Sequence, residues 1–538
     1  MNFDAKPFLL FSGFDNGFLY WLLVFGGFVG VIFAATILVA LGIYGVAGPV
    51  AVMGRVRQGL LDFLNLSLKR VWAIAWLTIM EVWRRKAMWV FVVFAFLMMF
   101  AGWFLESDLR ADLQVKNAVS IALTAVSWLT VPVLLLLSCW GIPEDIRVRS
   151  MHTVVTKPVR RNEIVMGRIL GFATVAAGVV ALMGFIGYVW ILRQVPGNAS
   201  LICRVPVYGT LQFLDREGSV SDKGVNTGDI WEFRSYIEGG TKAAAEYTFS
   251  IAAPVDRIKV ESRFEAFRTH KGRMGQSLLV RYILVNPTKD LRVPLDSFEI
   301  KEFDLNETFI ERKISFYDEQ KKDKRTVDLF EDVVDQNKLI IEVQCLDSGQ
   351  YLGMARPDFF IRLPDRPFAV GYFKAIFGIW LLCAFVATVG VTVSTFVKGP
   401  VATVLTGTFA IVGAGDIALG IDVHGFMVKL ITGVQRGGGP IESIYRLLTQ
   451  VNETLELPDN FGITLMKGID NIMLGLLWLM QHVIPDLSSF GMSPYVANGF
   501  DVPFDVAIGR SVAIAIGYLI PCLLVGYYSL TLRELESK

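Results

Sequence analysis

Reaction chemistry leaves residue patterns, and the common ones are missing from this chain of 538 residues. The loop G-x-x-x-x-G-K-(S/T), whose backbone N–H groups and lysine hold the phosphates of ATP, does not occur. The four histidines, His152, His270, His424 and His482, are scattered without metal-ligand spacing, so no zinc site is expected. No serine stands in a G-x-S-x-G elbow. Acid pairs, which a membrane protease or proton relay needs, are absent from the centres of the apolar runs. Gly413-Ala414-Gly415-Asp416-Ile417-Ala418 is a partial dinucleotide fingerprint inside an apolar run, where small residues serve close helix packing. Asp416, Asp422 and Arg510 lie toward the ends of apolar runs and read as interfacial anchors. No catalytic residue, metal or cofactor is therefore expected in this chain.

The chemistry that remains is recognition by charge. Trp140–Leu170, WGIPEDIRVRSMHTVVTKPVRRNEIVMGRIL, is a polar island between two of the most apolar runs, Ala118–Cys139 and Val165–Leu192. It carries Arg147, Arg149, Lys157, Arg160, Arg161 and Arg168, and short loops rich in Lys and Arg stay on the cytoplasmic side. Its pattern reads as a short amphipathic helix over Glu144–Thr153, a stop at Pro158, then Asn162 capping the next helix with Glu163 in the first turn. A helix-break-helix knuckle at a membrane surface suits docking of a soluble partner.

The acidic pair Glu144-Asp145, the basic stretch after it and TKPVRRNEIVMGRILG together resemble the first cytoplasmic loop of ABC-2 type transporter permeases. That family carries an acidic helix followed by a Pro-x-Arg-x-x-x-x-x-Gly-(Lys/Arg) signature. The resemblance implies a coupling helix riding on a separate ATP-hydrolysing subunit, with Glu144, Asp145, Arg147, Arg149, Pro158, Arg160, Arg161, Glu163 and Arg168 at the contact. VWAIAWLTIMEVWRRK, Val71–Lys86, is too short to span and has Trp72, Trp76 and Trp83 at near-helical spacing, which makes it an interfacial helix. ABC-2 permeases have a similar N-terminal interfacial helix, and by that likeness Glu81, Arg84 and Arg85 join the ATPase contact. STFVKGPVATVL also resembles a hairpin of the family. The likeness covers about two thirds of the chain and implies a bacterial inner-membrane protein.

The elements that must position the knuckle follow from composition. With 53% hydrophobic residues and a mean hydropathy of +0.50, the chain is an integral membrane protein. A net charge of +1 gives no electrostatic reason to expect nucleic acid. Phe18–Val46 is about 29 residues and needs only about 20 to cross, and Arg55 and Arg57 after it place the N-terminus outside. Further crossings are expected at Met88–Leu105, Ala118–Cys139, Val165–Leu192, Gly371–Val397, Val401–Ile421 and Val506–Tyr528, which leaves the C-terminus inside. Ile469–Ile484, apolar for about 14 to 16 residues, suits a re-entrant or interfacial segment.

Between Val165–Leu192 and Gly371–Val397 the character changes. Ile258–Phe267 and Ser277–Asn286 alternate with a period of two and are expected to form a hairpin around Lys271-Gly272-Arg273. Leu201–Leu214, Ile230–Ile237, Phe298–Phe303, Leu339–Leu346 and Phe359–Leu363 are further strand candidates, with a short helix at Val327–Val334. That count fits an antiparallel sandwich, extracytoplasmic because an outward and an inward crossing flank it. Cys203 and Cys345 could form one disulfide there. Cys139, Cys383 and Cys522 lie inside apolar runs as small core or lipid-facing residues. Asn198-Ala-Ser, Asn306-Glu-Thr and Asn452-Glu-Thr are glycosylation-type triplets with no meaning in a bacterial protein.

The expected fold is a polytopic α-helical membrane protein, an ABC-2 type permease core of six spans with one extra N-terminal span and an inserted β-sandwich-like domain. Its segments are 1–54, the extra span; 55–87, linker and interfacial helix; 88–192, spans with the coupling loop 141–164; 193–370, the periplasmic β-rich domain; 371–421, a transmembrane hairpin; 422–504, extracytoplasmic or re-entrant helices; and 505–538, the last span and tail. The expected function is the membrane subunit of an ATP-driven exporter, as a homodimer or paired with a similar chain, contacting lipid and an ABC ATPase that binds the ATP. The alternative is a membrane-anchored extracytoplasmic binding or sensing protein without transport. Co-purification of a nucleotide-binding chain separates the two.

Overall fold

The computed structural model describes residues 17–84, 89–102, 111–147, 159–195, 201–221, 224–225, 234–251, 254–268, 277–301, 305–318, 323–419, 422–432, 439–452, 455, 457–458 and 460–536. The chain divides into a β unit, Ile202–Pro367 with Gly499–Asp501, and a helical unit formed by the chain on either side.

The helical unit contains α1 (Gly17–Tyr44), α2 (Ala47–Leu64), α3 (Leu68–Arg84), α4 (Trp89–Ala101), α5 (Ala111–Arg147) and α6 (Arg161–Gln194). After the β unit come α7 (Phe368–Ser394), α8 (Gly399–Leu419), α9 (Val423–Thr432), α10 (Pro440–Thr449), α11 (Phe461–Val483), α12 (Ser493–Ala497) and α13 (Arg510–Glu536). Among the described residues, six helices are long and apolar enough to cross a membrane, at Gly17–Tyr44, Leu113–Arg147, Arg161–Gln194, Phe368–Ser394, Phe461–Ala497 and Phe504–Leu532. This is the make-up of a multi-pass membrane protein. Burial grades across the set: α1 buries none of its residues, whereas α7 is buried over most of its length and packs against α5, α6 and α13.

Three expectations change here. Ile469–Val483 is the C-terminal part of a helix of 23 residues, α11, with Ile484 as its C-cap, because Lys467 and Gly468 interrupt the hydropathy but not the hydrogen bonding, and Phe461–Met466 extends the apolar run. Of the helix expected over Glu144–Thr153, the described part, Glu144–Arg147, continues α5 through Pro143, and residues 148–153 lie outside the described residues. A proline removes one N–H and strains one turn, a cost of roughly 3 kcal/mol that the packing of a long buried helix can offset. Asn162 does not cap α6. Arg160 is the N-cap, and Glu163, at the third position, accepts its backbone N–H at 3.0 Å, so Asn162 lies inside the helix.

The β unit is antiparallel in every strand pair of its sheets. Its strands are β1 (Ile202–Tyr208), β2 (Thr210–Leu214), β3 (Val220–Ser221), β4 (Ser235–Glu238), β5 (Ala244–Ser250), β6 (Arg257–Ser262), β7 (Glu265–Arg268) and β8 (Leu278–Asn286). They continue as β9 (Leu291–Pro294), β10 (Phe298–Ile300), β11 (Asn306–Glu311), β12 (Lys313–Asp318), β13 (Asp323–Asp328), β14 (Lys338–Cys345), β15 (Gln350–Met354) and β16 (Phe359–Pro367). A sheet in the order β1-β16-β6-β11 and a larger one in the order β10-β8-β14-β5-β2-β3 share one core. Ile258, Val260, Phe359 and Ile361 from the first meet Tyr247, Phe249, Val280, Tyr282 and Ile341 from the second. Each such side chain, fully removed from water, contributes about 2 kcal/mol.

The expected hairpin between Ile258–Phe267 and Ser277–Asn286 does not form. β6 pairs with β11 and β16, β7 with β15, and β8 lies between β10 and β14, so neighbours in sequence enter different sheets. Alternation fixes which face a strand buries but not which strand it pairs with. The expected helix at Val327–Val334 is a five-residue π-helical turn, Leu329–Val333, and Val327 and Asp328 end β13. Cys203 and Cys345 are not joined: they lie in different sheets, on β1 and β14. Burial pushes the Cys345 thiol up to about 11, so it stays protonated at neutral pH.

Candidate functional site

The charged residues around the start of α6 bond with partners on α2, α3 and α5. α3 lies along α6 with Val71, Ile74, Ala75, Thr78 and Val82 buried. Gly167 and Gly171 make the approach possible, since a Cβ on either would come within 2.6 Å of Ile74 or Thr78. The other face of α3 leaves Trp72, Trp76, Leu77 and Trp83 exposed, an apolar face with aromatic rings that fits a membrane interface.

Glu163 is wholly buried. One carboxylate oxygen accepts the Ser67 N–H at 3.0 Å and the Arg70 guanidinium at 3.0 and 2.8 Å, and the other accepts the Arg160 N–H at 3.0 Å. Four donors offset the cost of desolvating a carboxylate, and loss of one partner of such a pair costs roughly 3–5 kcal/mol. Glu163 thereby fixes the start of α3 to the start of α6.

Arg168, one turn deeper, is also buried. It donates to Glu81 on α3 at 2.5 Å and to Asp145 near the end of α5. Three helices thus meet at one guanidinium, whose planar fork suits two carboxylates at once. Asp62, at the end of α2, forms a third cluster with Arg160, Asn162 and Tyr527.

The expected contact residues therefore separate. Glu81, Asp145, Glu163 and Arg168 are drawn into bonds inside the chain rather than presented on one outer surface. Arg160 is divided between the chain and solvent, with a third of its side chain exposed. Glu144 and Arg147 pair with each other at 2.7 Å, with Arg147 77% exposed, and Arg84 is exposed. Arg161 opens α6, half-buried. Arg85, Arg149, Lys157 and Pro158 lie outside the described residues.

Sequence reasoning missed Asp62, Ser67, Arg70 and Tyr527. The available signal was Lys69-Arg70 ahead of the Trp-rich helix and a lone Asp62 in an apolar stretch, but their partners stand 93 and more positions away.

The β unit has a charged cluster of its own. Glu261, wholly buried, accepts from Arg204 at 3.1 Å and from Arg362, and Arg362 also donates to Asp365 at 2.6 Å and Glu307 at 3.1 Å. Lys259 pairs with Glu307 at 2.7 Å, so three positive and three negative groups balance there, as in an ion-pair network that holds a sheet face together. Among the described residues, no group of three or more His, Cys, Asp and Glu stands close enough to hold a metal ion. No protein-family model, curated protein or solved structure matches the chain.

Proposed function

We propose that the chain is the membrane subunit of an ATP-driven ABC-2 type exporter, working as a homodimer or paired with a similar chain. The ATPase is a separate polypeptide, since this one has no phosphate-cradling loop. The observation that carries the reading is the buried junction of Glu163 and Arg168, seated in the segment that resembles the family's coupling loop. Through it α3, the end of α5 and the start of α6 form one body. A push on Glu144, Arg147 or the loop after them moves all three helices together instead of bending one. ATP-driven closure of the partner then biases two arrangements of the spans, which requires only that the partner bind one better than the other.

In this reading the basic knuckle faces the cytoplasm of a bacterium, the β unit is periplasmic, and the chain runs from N-terminus out to C-terminus in.

The test is charge reversal at the start of α6, Arg160→Glu with Arg161→Glu. ATP hydrolysis by the co-purified complex falls to the level of the isolated ATPase, and the permease still inserts. Turnover equal to wild type would contradict the coupling role.

A further inference from the structure

The end of α2 sits on the residue that the coupling role would send outward. The last carbonyls of a helix have no partner within it and carry the negative end of its dipole. Here Leu61 O, which also accepts the Asn65 N–H at 3.1 Å and Asn65 Nδ2 at 2.9 Å, and Asp62 O each accept Arg160 Nη1 at 3.3 Å, and Asp62 O accepts Asn162 Nδ2 at 2.8 Å. The Asp62 carboxylate lies 3.6 Å from Arg160 Nε and accepts Tyr527 Oη at 2.8 Å. α2 is seated closely against α13. A Cβ on Gly59 would come within 2.6 Å of Tyr528 Oη, and the rings of Phe63 and Tyr527 stand 5.5 Å apart. The second N-terminal helix, the start of α6 and the end of α13 thus converge on Asp62.

We propose that Asp62 makes an autoinhibitory contact, in which α2 withholds Arg160 from an acidic surface on the docking partner. The inference rests on the reading of the knuckle as the docking site. Its physical basis is that the bonds to Asp62 differ in kind. Those from Asn162 and Tyr527 are short and keep α2 seated without Arg160. The Arg160–Asp62 pair is long, with 33% and 23% of the two side chains exposed, and such pairs exchange readily. A partner carboxylate that accepts both arms of the guanidinium makes the stronger bond and displaces Asp62. Arg160 therefore has two alternative acceptors, α2 or the partner, and the charge of Asp62 sets the balance between them. Because α1 and α2 lie outside the stretch that resembles the permease family, the contact belongs to this chain's own N-terminal addition.

Asp62→Asn tests it, being isosteric and retaining an acceptor for Tyr527. The full-length chain, isolated with its ATP-hydrolysing subunit in lipid nanodiscs, is treated with phenylglyoxal, and modification of Arg160 is measured against that of Arg147. The variant should raise the relative reactivity of Arg160 about threefold and raise ATP turnover above wild type. Unchanged reactivity overturns the contact, and raised reactivity with turnover unchanged or lowered overturns its inhibitory role. Arg160→Glu, run in parallel, separates the two levels. If it leaves turnover at wild type, the docking reading itself fails; if it abolishes turnover while Asp62→Asn is silent, only the competition fails.

Discussion

Glu163 and Arg168 carry charge where there is almost no water, and that burial decides what they do. A run of acidic and basic residues between two apolar stretches looks the same whether its side chains point outward or into each other. Sequence reasoning placed these residues in the right element and gave all of them one outward role, because the Arg70 guanidinium and the Glu81 carboxylate that occupy them come from α3, far back in the chain, with Asp145 of α5 completing the Arg168 pair. The same blindness holds in the β unit. Glu246 on β5 and Glu342 on β14 stand directly opposite each other, and alternation alone marks both as solvent-facing. Glu342 is in fact almost wholly buried, and burial raises both carboxyls above the usual carboxylate range against the pull of Arg292, with Glu246 raising Glu342 further. Groups raised in the folded state favour folding once protonated. Their contribution is present in full at pH values below the ordinary carboxylate range and is lost as pH rises through the raised values. Asp328 works in the opposite sense. Burial would raise it, but hydrogen bonds from Phe330 N–H, Arg312 and Glu331 N–H hold it below the usual range, so its contribution is lost on acidification. Glu342→Gln should therefore shrink any gain in the thermal midpoint of the purified chain as the pH is lowered from neutral toward the ordinary carboxylate range. A gain equal to wild type would show that the pair does not govern that window.

At the scale of elements, the sequence located most helices and strand segments because periodicity survives without partners: α1, α3, α6, α7, β8 and β14 lie where the apolar patterns put them. Pairing did not survive, as the unmade hairpin of β6, β7 and β8 shows. α11 is longer than the apolar run read from sequence, which stops at Lys467-Gly468, and the structure gives the aspartate inside that run, Asp470, a reason. Asp470 is buried and accepts the Ile441 N–H at 2.8 Å and the Glu442 N–H at 2.9 Å, so it caps the N-terminus of α10 from a neighbouring helix. On α10 the polar pair Glu442–Arg446 is turned inward, with Arg446 also donating to the Asn452 and Leu455 carbonyls, while Ile444, Leu447 and Leu448 face out. Such inside-out polarity fits an element bathed in lipid rather than water. Removing the cap by Asp470→Ala should cost about 1 kcal/mol. Amide hydrogen exchange across α10 should quicken about fivefold while α7 stays protected, and unchanged exchange in α10 would show that Asp470 is not its cap.

At the scale of the whole molecule, composition alone identified a multi-pass membrane protein with a separate β-rich domain, since apolar runs of spanning length and a long alternating insert need no partner to be visible. The proposed function rests on a loop whose likeness to one permease family is carried by local residues and whose mechanical coherence is carried by the buried ion pairs of Glu163 and Arg168. The central claim is that this loop docks an ATPase on the cytoplasmic side, and Arg147, beside its start and the most exposed of its described charges, is the place to ask. A photo-crosslinking residue substituted for Arg147 in the full-length chain, activated in intact bacterial membranes and followed by mass spectrometry, should yield an adduct with an ATP-binding protein. No such adduct, together with reaction of a cysteine at the same position with a membrane-impermeant reagent added from outside, would contradict both the side of the membrane and the partner.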